Sequence, residues 1–449
     1  MSSIRVGLVA VAVAVAFADS SIVVLALPEL YTKFQTTIER VSWVVTAYNA
    51  AVAVAALALV LFVHRLRSTV VMTAGLVVFM AASIACSAAN SLWFLVGARS
   101  VQGIGAALLL AGSLPVLAAV TGSTVRGATV WTLAGTFGAA LGPALGGLVT
   151  EVLGWRAIFA VQAPLAALGL LAVVAVKAAP PLEEGWRPSL ARSAPANTCI
   201  GLLFGALVGV LFLSVLLVIT VWGYSPIAGA AIVSVLPVAT LAARPLERRL
   251  PPLAAVYAGA ALLGLGLVAL ALLPYASVGF LAGALAVCGV GLGLSIPVLS
   301  HAALDLHAGL SRSGTLTIGI RHLGLVLAIA LIAPLLASEL PPAGHRAELR
   351  AISVLLDAPV GLASKIPVAL DARAEFDRAK AGQIPDLARP FDAHGAKHDA
   401  ALAAARDRLI GTIKDTITRA FRSSFLLSAA FAAAGLLVAV LFRRRGVVE

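Results

Sequence analysis

The sequence predicts an all-α membrane protein of two six-helix bundles, with about twelve transmembrane helices and a small extracytoplasmic helical insert. Composition is the first support, because hydrophobic residues make up 61% of the 449 residues and charged residues only 12%. A soluble domain carries roughly a quarter charged residues, and no soluble core could enclose so much apolar surface. Lipid must therefore solvate most of the chain, so membrane lipids are its first expected partner.

Apolar segments of about 20 residues, the length that spans a bilayer, recur along the chain and are the second observation. The first segment begins like a secretory signal peptide, with Arg5 before an apolar run and Ala-Phe-Ala at 16–18. The run resumes at Ser21 and continues to Leu27, which favours an uncleaved first helix. The predicted spans are 5–27, 41–63, 69–89, 93–119, 128–151, 156–177, 197–221, 226–246, 252–273, 275–299, 315–337 and 423–442.

The sidedness of positive charge is the third observation, and it sets the orientation. With the N-terminus in the cytoplasm, fourteen basic residues fall in inner loops and ends and three in short outer loops. This is the positive-inside pattern of an inner-membrane protein with both termini cytoplasmic. The inner set is Arg5, Arg65, Arg67, Arg126, Lys177, Arg187, Arg192, Arg244, Arg248, Arg249, Arg312 and Arg443 to Arg445, and the outer set is Lys33, Arg40 and Arg156.

A polar stretch rich in Pro and Glu divides the twelve spans into two groups of six. It predicts an N-terminal bundle at 1–177, a cytoplasmic linker at 178–196 and a C-terminal bundle at 197–449. Basic loops at 64–67 and 244–249 follow the second helix of each half, as expected of a duplicated six-helix unit.

Residues 338–422, between the last two spans, hold 11 of the 20 acidic and 13 of the 32 basic residues. On the predicted topology they lie outside the membrane. Apolar residues at helical spacing predict an amphipathic helix at 398–422 that runs into the last span, and weaker patterns predict helices at 346–356 and 370–380. We expect an extracytoplasmic helical hairpin, which is also a candidate docking site for a protein partner.

Asp19 is the one acidic residue inside a predicted span, because every other acid lies in the insert, in a loop or at a chain or helix end. A carboxylate at that depth is costly unless it is protonated, paired or facing water. A structural ion pair and a polar cap near the headgroups are the alternatives. Intramembrane acids are functional by default, so the sequence favours a functional role for Asp19.

Arg99 is the predicted partner of Asp19, because both lie about 9–12 Å below the outer ends of their helices. Gln102 lies one turn from Arg99 on the same face, and Tyr48 and Asn49 reach a comparable depth, so we expect these three to line a substrate cavity. Poor access of water favours the protonated form of Asp19, whereas a nearby Arg99 favours the ionised form. A conformational change would then move a proton, and a cationic substrate held by the same carboxylate would compete with it.

The fifth span carries small residues at three- and four-residue spacing, which permit close helix approach, and a proline, which removes a backbone hydrogen bond. Packing and a hinge are both open for this set, which comprises Gly138, Gly142, Pro143, Gly146 and Gly147. Arg321, about two turns into the eleventh span, is predicted to support packing or to gate the inner mouth. His394 and His398 are spaced i,i+4 but have no evident third ligand, so no metal site is predicted.

Several function classes are disfavoured by what the sequence lacks. It holds no GxxxxGK[ST] nucleotide loop and no plausible catalytic constellation, so neither a primary pump nor an enzyme is predicted, and no cofactor is expected. The arginines sit in short loops and form no basic face with interleaved aromatics, which argues against nucleic acid.

Five segments of the N-terminal half carry a family resemblance. They read DSSIVVLALP at 19–28, SWVVTAYN at 42–49, RSVQGIGAA at 99–107, GAALGPALGG at 138–147 and GWRAIF at 154–159. In this order they resemble conserved segments of the drug:proton antiporters of the major facilitator superfamily. The resemblance implies that Asp19 and Arg99 carry proton coupling and that 138–147 is the antiporter motif.

The C-terminal half is similar to the fourteen-helix branch of that family, through GYSP at 223–226 and SGTLTIGIRHLG at 313–324. Three departures stand out: twelve predicted spans with a short linker, the long insert, and the loop VLFVHRLRS at 60–68. The family loop reads Gly-x-Leu-x-Asp-Arg-x-Gly-Arg, so here the glycines are absent and His64, beside Arg65, replaces the acid that locks the inner gate.

The resemblance implies a major facilitator fold and a proton-coupled secondary transporter that exports amphipathic or cationic small molecules. Two alternatives stay open. One is a lipid or hydrophobe transporter of the same fold, which the very apolar second half favours. The other is a degenerate, non-transporting partner protein that acts through the insert 338–422.

Overall fold

The computed structural model describes residues 2–174, 176, 187–304, 309–378 and 386–443, and every regular element among them is a helix. Below, "inner" denotes the side of the arginine-rich loops, which the charge pattern predicts to be cytoplasmic. By length and composition, eleven helices could cross a membrane, or twelve if the two halves of one bent helix form a single span. The predicted all-α membrane fold is confirmed.

The N-terminal bundle contains seven α-helices, the first two joined through a 3-10 turn at Val23–Ala26 into one span. Thr37, Ser91 and Ser123 accept backbone hydrogen bonds at the starts of their helices, as N-cap residues do. The helices are α1 (Ser2–Ile22), α2 (Leu27–Lys33), α3 (Ile38–Leu59), α4 (Ser68–Ser87), α5 (Leu92–Thr121), α6 (Thr124–Leu153) and α7 (Trp155–Val174).

The C-terminal bundle repeats this arrangement with one helix continued by a π-helical turn at Leu216–Val221 and one broken into three parts. Its helices are α8 (Arg187–Val215), the broken span α9 (Pro226–Val233), α10 (Val235–Ala242) and α11 (Arg244–Glu247), then α12 (Pro252–Ala271), α13 (Val278–Ala303), α14 (Leu310–Asp357) and, at the end, α18 (Arg422–Arg443).

The predicted linker 178–196 lies only in part within the described residues. Its last ten residues, 187–196, already belong to α8, so this helix begins ten residues before the predicted span at 197. Pro188 falls in the first turn of α8, where a missing N–H costs nothing. The position of the bundle boundary between 177 and 187 stays a prediction.

The α14 helix corrects the prediction for the insert. The sequence predicted a span at 315–337 and a separate helix at 346–356, but one helix of 48 residues covers both. At 1.5 Å per residue it is about 72 Å long, more than twice the hydrocarbon thickness of about 30 Å. Ala343, Ala347, Ala351 and Leu355 are buried at four-residue spacing on its outer part. This packing overrides the tendency of the internal prolines to end a helix.

The rest of the insert folds back along α14 as predicted, through α15 (Leu362–Arg378), α16 (Ala388–Ala393) and α17 (Ala400–Ala420). The predicted helix at 398–422 corresponds to α17, and its apolar side is buried at Leu402, Leu409 and Ile413. The base of α17 contacts the C-terminal bundle, where Lys414 Nζ donates to the Trp222 carbonyl at 2.7 Å and Trp222 Nε1 donates to Thr418 at 3.0 Å. The helical hairpin is therefore anchored on the outer end of α8.

Glycines of α6 allow α1 to pack directly on its backbone. A methyl group at Gly138 would overlap the carbonyl oxygen of Ala14, and one at Gly146 would overlap that of Ile22. Gly142 is equally close to the Ser21 hydroxyl. Three predicted packing glycines thus hold α1, the helix that carries Asp19, against α6.

Replacing Gly138 with Ala is expected to push α1 away from α6 and to destabilise the protein by about 1–3 kcal/mol, the usual cost of overpacking. Gly97 on α5 is the matched control, because it is a helical glycine with open space around its Cα. Thermal unfolding in detergent should show a lower midpoint for Gly138→Ala and an unchanged or higher one for Gly97→Ala. Equal midpoints for the two variants would contradict the close α1–α6 contact.

Candidate functional site

Asp19 and Arg99 form a buried ion pair in the middle of the N-terminal bundle. Nη1 of Arg99 on α5 donates to Oδ2 of Asp19 on α1, and both side chains are 0% exposed. The predicted contact is therefore present. Two charges without water are stable only when their remaining polar atoms are also paired, so the surroundings decide what the pair can do.

Two glutamines and a serine complete the network, and they bring in two further helices, α7 and α4. Gln162 Nε2 on α7 donates to Asp19 Oδ1 at 2.7 Å, and Arg99 Nη1 donates to Gln102 Oε1 at 2.7 Å. Gln102 Nε2 in turn donates to Gln162 Oε1 at 2.7 Å and to Ser83 on α4 at 2.9 Å. Four helices of the bundle therefore meet at one hydrogen-bonded cluster.

The rest of the Arg99 guanidinium contacts α3. Its Nε donates to the Val44 carbonyl at 3.0 Å, and its carbon lies 4.1 Å from the centre of the Tyr48 ring, a cation–π contact. Its Nη2 is buried without a hydrogen-bond partner among the described residues. Losing the Asp19 charge would leave Arg99 with weaker compensation, so the protonation state of Asp19 bears on how five helices pack.

The residues predicted to line a cavity with Asp19 lie instead within this packed region. Tyr48 donates to the Ala16 carbonyl at 3.0 Å, and Asn49 donates to the Val45 carbonyl at 2.8 Å and accepts from Ser20 at 3.1 Å. Tyr48, Asn49 and Gln102 are each 0% exposed. They tie α1 to its neighbours rather than face open space.

A central cavity lies between the two bundles, on the other side of α1. It encloses about 1260 Å³ of space between atoms, its open mouth included. Its walls are mainly apolar and come from α1, α6, α8, α10, α13 and α14. Sites for drug-sized ligands are of this kind: concave, apolar and furnished with a few polar groups.

Helix geometry explains why Asp19 does not line the cavity. Successive residues of an α-helix are rotated by about 100°, so Phe17, Ser20 and Ser21 share one face of α1 and Asp19 lies opposite. Those three residues line the cavity. One helix therefore presents the ion pair on one side and the cavity wall on the other.

Pro143 produces a polar contact at the cavity wall. It has no N–H to donate to the carbonyl of Ala139, and Ser21 donates to that carbonyl at 3.3 Å. The two halves of α6, Thr124–Ala139 and Leu141–Leu153, are inclined by 41° at this point. The bend lies at the cavity wall, which α6 and α10 both help to form.

Arg321 on α14 projects into the cavity between aromatic rings of both bundles. Its guanidinium carbon lies 4.4 Å from the ring centre of Phe17 on α1 and 4.0 Å from that of Phe204 on α8. Arg244, at the inner end of the broken span, is the other charged residue of the cavity wall, and no acid lines it among the described residues. The sequence predicted a packing or gating role for Arg321 and missed its place in the cavity.

The two bundles touch on the inner side through the altered loop after α3. Both ring nitrogens of His64 lie within 2.9 Å of Nη2 of Arg312, near the start of α14, and Arg65 Nε lies 3.3 Å from His64 Nε2. Leu57 of α3 contacts Gly319 of α14 above them. His64 therefore stands at a bundle-to-bundle contact, where a gate would act.

The outer side closes through α6 and α9. The Glu151 carboxylate accepts from the backbone N–H of Ile227 in the first turn of α9 at 2.8 Å, where an anion is favourable. Gly147 lies against Ala230 and the Pro226 carbonyl so closely that a methyl group would not fit. Gly147 thus packs between bundles, unlike the glycines that contact α1.

Gln162, Ser83, Phe17 and Phe204 were missed by the sequence reasoning. Gln162 carried a usable signal, because an amide inside an apolar span needs a partner as an acid does. The two phenylalanines carried none, since one aromatic among many in apolar runs does not mark a site. Among the described residues no group of His, Cys, Asp and Glu could hold a metal, and His394 pairs with Asp371.

The sequence matches a family model described as Major Facilitator Superfamily over residues 9–333. It is 36% identical over 160 residues to the multidrug resistance protein Stp of Mycobacterium tuberculosis, an alignment covering 34% of this chain and 29% of Stp. It is 32% identical over 156 residues to the methylenomycin A resistance protein of Bacillus subtilis, covering 34% of each. The chain thus spans about a third of the length of these relatives.

Solved structures share the whole fold at low identity. A bacterial homologue of the human lysosomal transporter Spinster, inward-facing and unoccupied, is 15% identical with a TM-score of 0.66, covering 99% of this chain and 98% of that one. A D-xylose–proton symporter is 15% identical with a TM-score of 0.60, covering 73% and 89%. At these identities the likeness concerns the fold alone.

The Asp19–Arg99 pair is expected to behave as one unit in stability measurements. Asp19→Asn or Arg99→Met alone leaves a buried charge unpaired and should cost about 3–5 kcal/mol. The double variant should cost clearly less than the sum of the two, which thermal unfolding in detergent would show. The exposed Arg249→Met is a control without an expected effect. Additive losses would mean that the two side chains are not coupled.

Proposed function

Because the chain belongs to the Major Facilitator Superfamily, we propose that this membrane transporter exports amphipathic organic compounds in exchange for protons. The relatives named as a multidrug resistance protein and an antibiotic resistance protein support export as the direction of transport. The buried Asp19–Arg99 pair, back to back with a central cavity across one helix, is the observation that carries the proposal.

Asp19 and Arg99 are proposed as the proton-coupling residues. A proton on Asp19 removes the negative charge of the buried pair. The positive charge of Arg99 is then stabilised only by its contacts with Gln102, the Val44 carbonyl and the Tyr48 ring. Such a change shifts the balance between packing arrangements of α1 by several kcal/mol, enough to move a two-state equilibrium. Gln162, which donates to the same carboxylate, would hold Asp19 in place during that change.

Coupling to substrate then passes through α1 and not through a shared carboxylate. The sequence suggested that a cationic substrate and the proton compete for Asp19, but Asp19 lies on the face of α1 opposite the cavity. Movement of α1 would carry Phe17, Ser20 and Ser21 with it and reshape the cavity wall. Ser21, bonded to the Ala139 carbonyl beside Pro143, links the same movement to the bend in α6.

Alternating access requires that the inner and outer contacts between bundles open in turn. The inner contact joins His64 to Arg312, and the outer one joins Glu151 and Gly147 to the start of α9. We propose that His64, with Arg65 beside it, forms the inner gate in place of the acid found in related loops. A neutral imidazole accepts one hydrogen bond from Arg312 and makes a weaker latch than a carboxylate would.

Transport of a lipid or another hydrophobic compound is the second candidate. The mainly apolar wall of the cavity favours a compound that partitions into the membrane. Both candidates use the same cavity and the same proton coupling, so they differ in substrate and not in mechanism.

Asp19→Asn should abolish transport driven by a pH gradient, because a neutral amide cannot exchange a proton. Reconstituted vesicles with an imposed gradient and a dansyl-labelled undecyl amphiphile as the probe give the measurement. Glu39→Gln, an exposed acid at the outer start of α3, is the matched control and should transport normally. Full pH dependence in Asp19→Asn would remove Asp19 from the coupling mechanism.

The insert separates these candidates from the third, a non-transporting partner protein. Ala358 and Ala401 line one surface pocket, so α14 and α17 can be joined directly when residues 360–397 are replaced by a short Gly/Ser linker. Transport of the dansyl probe should persist in this variant, because the cavity and the ion pair lie elsewhere. If it fell to the level of empty vesicles while the protein remained folded by thermal unfolding, the insert would be part of the transport function.

A further inference from the structure

We propose that the central cavity binds amphiphiles with an acidic head group, and that Arg321 selects for that negative charge. This inference rests on the proposed transport function and names the substrate class of the same cavity. It departs from the cationic substrates that the sequence suggested. The ligand chemistry is a carboxylate, sulfonate or phosphate on an apolar body.

Arg321 is a cation with unmet bonding capacity. It has five N–H donors in a planar fork, yet none of them takes part in a hydrogen bond or ion pair with a described residue, and its Nε is buried without a partner. Stacking between Phe17 and Phe204 holds the plane of the guanidinium through its faces. The donor edge is thus left free for a ligand in the cavity.

Within the membrane, the unpaired donors and positive charge of Arg321 favour binding of an anion. An unpaired charge is costly inside a bilayer, and the attraction of an opposite charge is large where the dielectric constant is low. A carboxylate or phosphate would accept two parallel N–H bonds from the fork and neutralise it. A cationic head group in the same position would meet like charge instead.

No acid of the cavity wall offsets Arg321. Arg244, in the last part of the broken span, adds a second positive charge, and the described lining contains no Asp or Glu. Asp19 is already bound by Arg99 and Gln162 on the opposite face of α1. Both charged residues of the described lining are therefore positive.

The remaining walls fit an apolar body. Ile200, Leu207, Leu211 and Leu292 line the cavity from the C-terminal bundle, and Trp131 and Pro143 line it from the N-terminal bundle. The ligand that satisfies both the walls and the cation is an amphiphile with its acidic end at Arg321. A small inorganic anion would leave these apolar walls unfilled, and a neutral hydrophobe would leave the guanidinium unpaired.

An anionic substrate changes the electrical balance of transport. Exchange of one proton inward for one monovalent anion outward moves two positive charges inward, whereas exchange of a proton for a monovalent cation moves none. Export of the anion should therefore be driven by an inside-negative membrane potential even without a pH gradient.

The test uses two probes with the same apolar body and oppositely charged head groups. One is 11-(dansylamino)undecanoate, which ends in a carboxylate, and the other is 11-(dansylamino)undecylamine, which ends in an ammonium group. Energy transfer from Trp131, which lines the cavity, to the dansyl group reports binding to purified protein in nanodiscs, and Trp131→Phe identifies that signal. The undecanoate should bind about tenfold more tightly than the amine, the effect of about one charge-assisted hydrogen-bonded contact. Equal binding, or tighter binding of the amine, would overturn the proposal.

Variants assign the preference to Arg321. Arg321→Gln should weaken undecanoate binding about tenfold and leave the neutral methyl ester of the same probe within about twofold. Arg321→Lys, which keeps the charge but not the planar fork, should retain part of the preference, and Arg249→Gln should change nothing. If Arg321→Gln unfolds, the Lys variant decides alone: a preference for the amine in that folded protein would overturn the proposal. Equal weakening of all three probes by Arg321→Gln would do so as well.

Two sources could supply the acidic head, and a competition experiment separates them. Phosphatidylglycerol added to phosphatidylcholine nanodiscs should displace the undecanoate if a membrane phospholipid is the occupant. Without displacement, the occupant is a free acidic amphiphile.

Transport measurements keep the two proposals apart. Binding at equilibrium does not depend on proton coupling, so an anion preference with no effect of Asp19→Asn on transport would reject the proposed function and retain this inference. Suppose instead that the amine or the ester is transported but the undecanoate is not, and that Asp19→Asn abolishes this transport. That result would reject this inference and retain the proposed function.

Discussion

The buried ion pair between Asp19 and Arg99 is the constraint on which the rest of this structure depends. Lipid surrounds the bundle and water is excluded from the pair, so an unpaired polar atom near it is costly, and all described polar atoms of the pair except Nη2 of Arg99 have protein partners. Gln102, Gln162 and Ser83 meet this need from three helices. Tyr48 adds a ring face to Arg99. The packing of the N-terminal bundle is organised around one carboxylate whose charge a proton can remove.

The α1 helix joins that constraint to the cavity. It packs closely on the glycines of α6. One face of α1 holds the ion pair, and the opposite face forms part of the cavity wall. Proton and substrate can therefore influence each other without touching. On the proposal made above, Arg321 and not Asp19 selects the charge of the substrate. A coupling acid does not by itself imply a cationic substrate.

Much of the fold followed from the sequence because lipid imposes simple rules. Span length and charge sidedness predicted the helices, and depth within two spans was enough to pair Asp19 with Arg99. Depth could not predict the direction in which a side chain points from its helix. Tyr48, Asn49 and Gln102 were therefore expected in the cavity, but they lie in the packed network. The length of α14 was missed because it depends on packing against α17, more than forty residues later in the chain, and not on local propensity.

Coupling through α1 can be tested most directly by measuring how the distance between the inner ends of α6 and α10, two helices of the cavity wall, responds to pH. Spin labels at Thr129→Cys and Ala242→Cys, both exposed near the inner ends of these helices, report that distance by pulsed electron resonance in nanodiscs, with the three native cysteines removed. Coupling through α1 predicts a distance distribution that shifts between acid and alkaline pH in the parent protein. It further predicts that Asp19→Asn holds the low-pH distribution at every pH. The same pH-dependent shift in Asp19→Asn would contradict it.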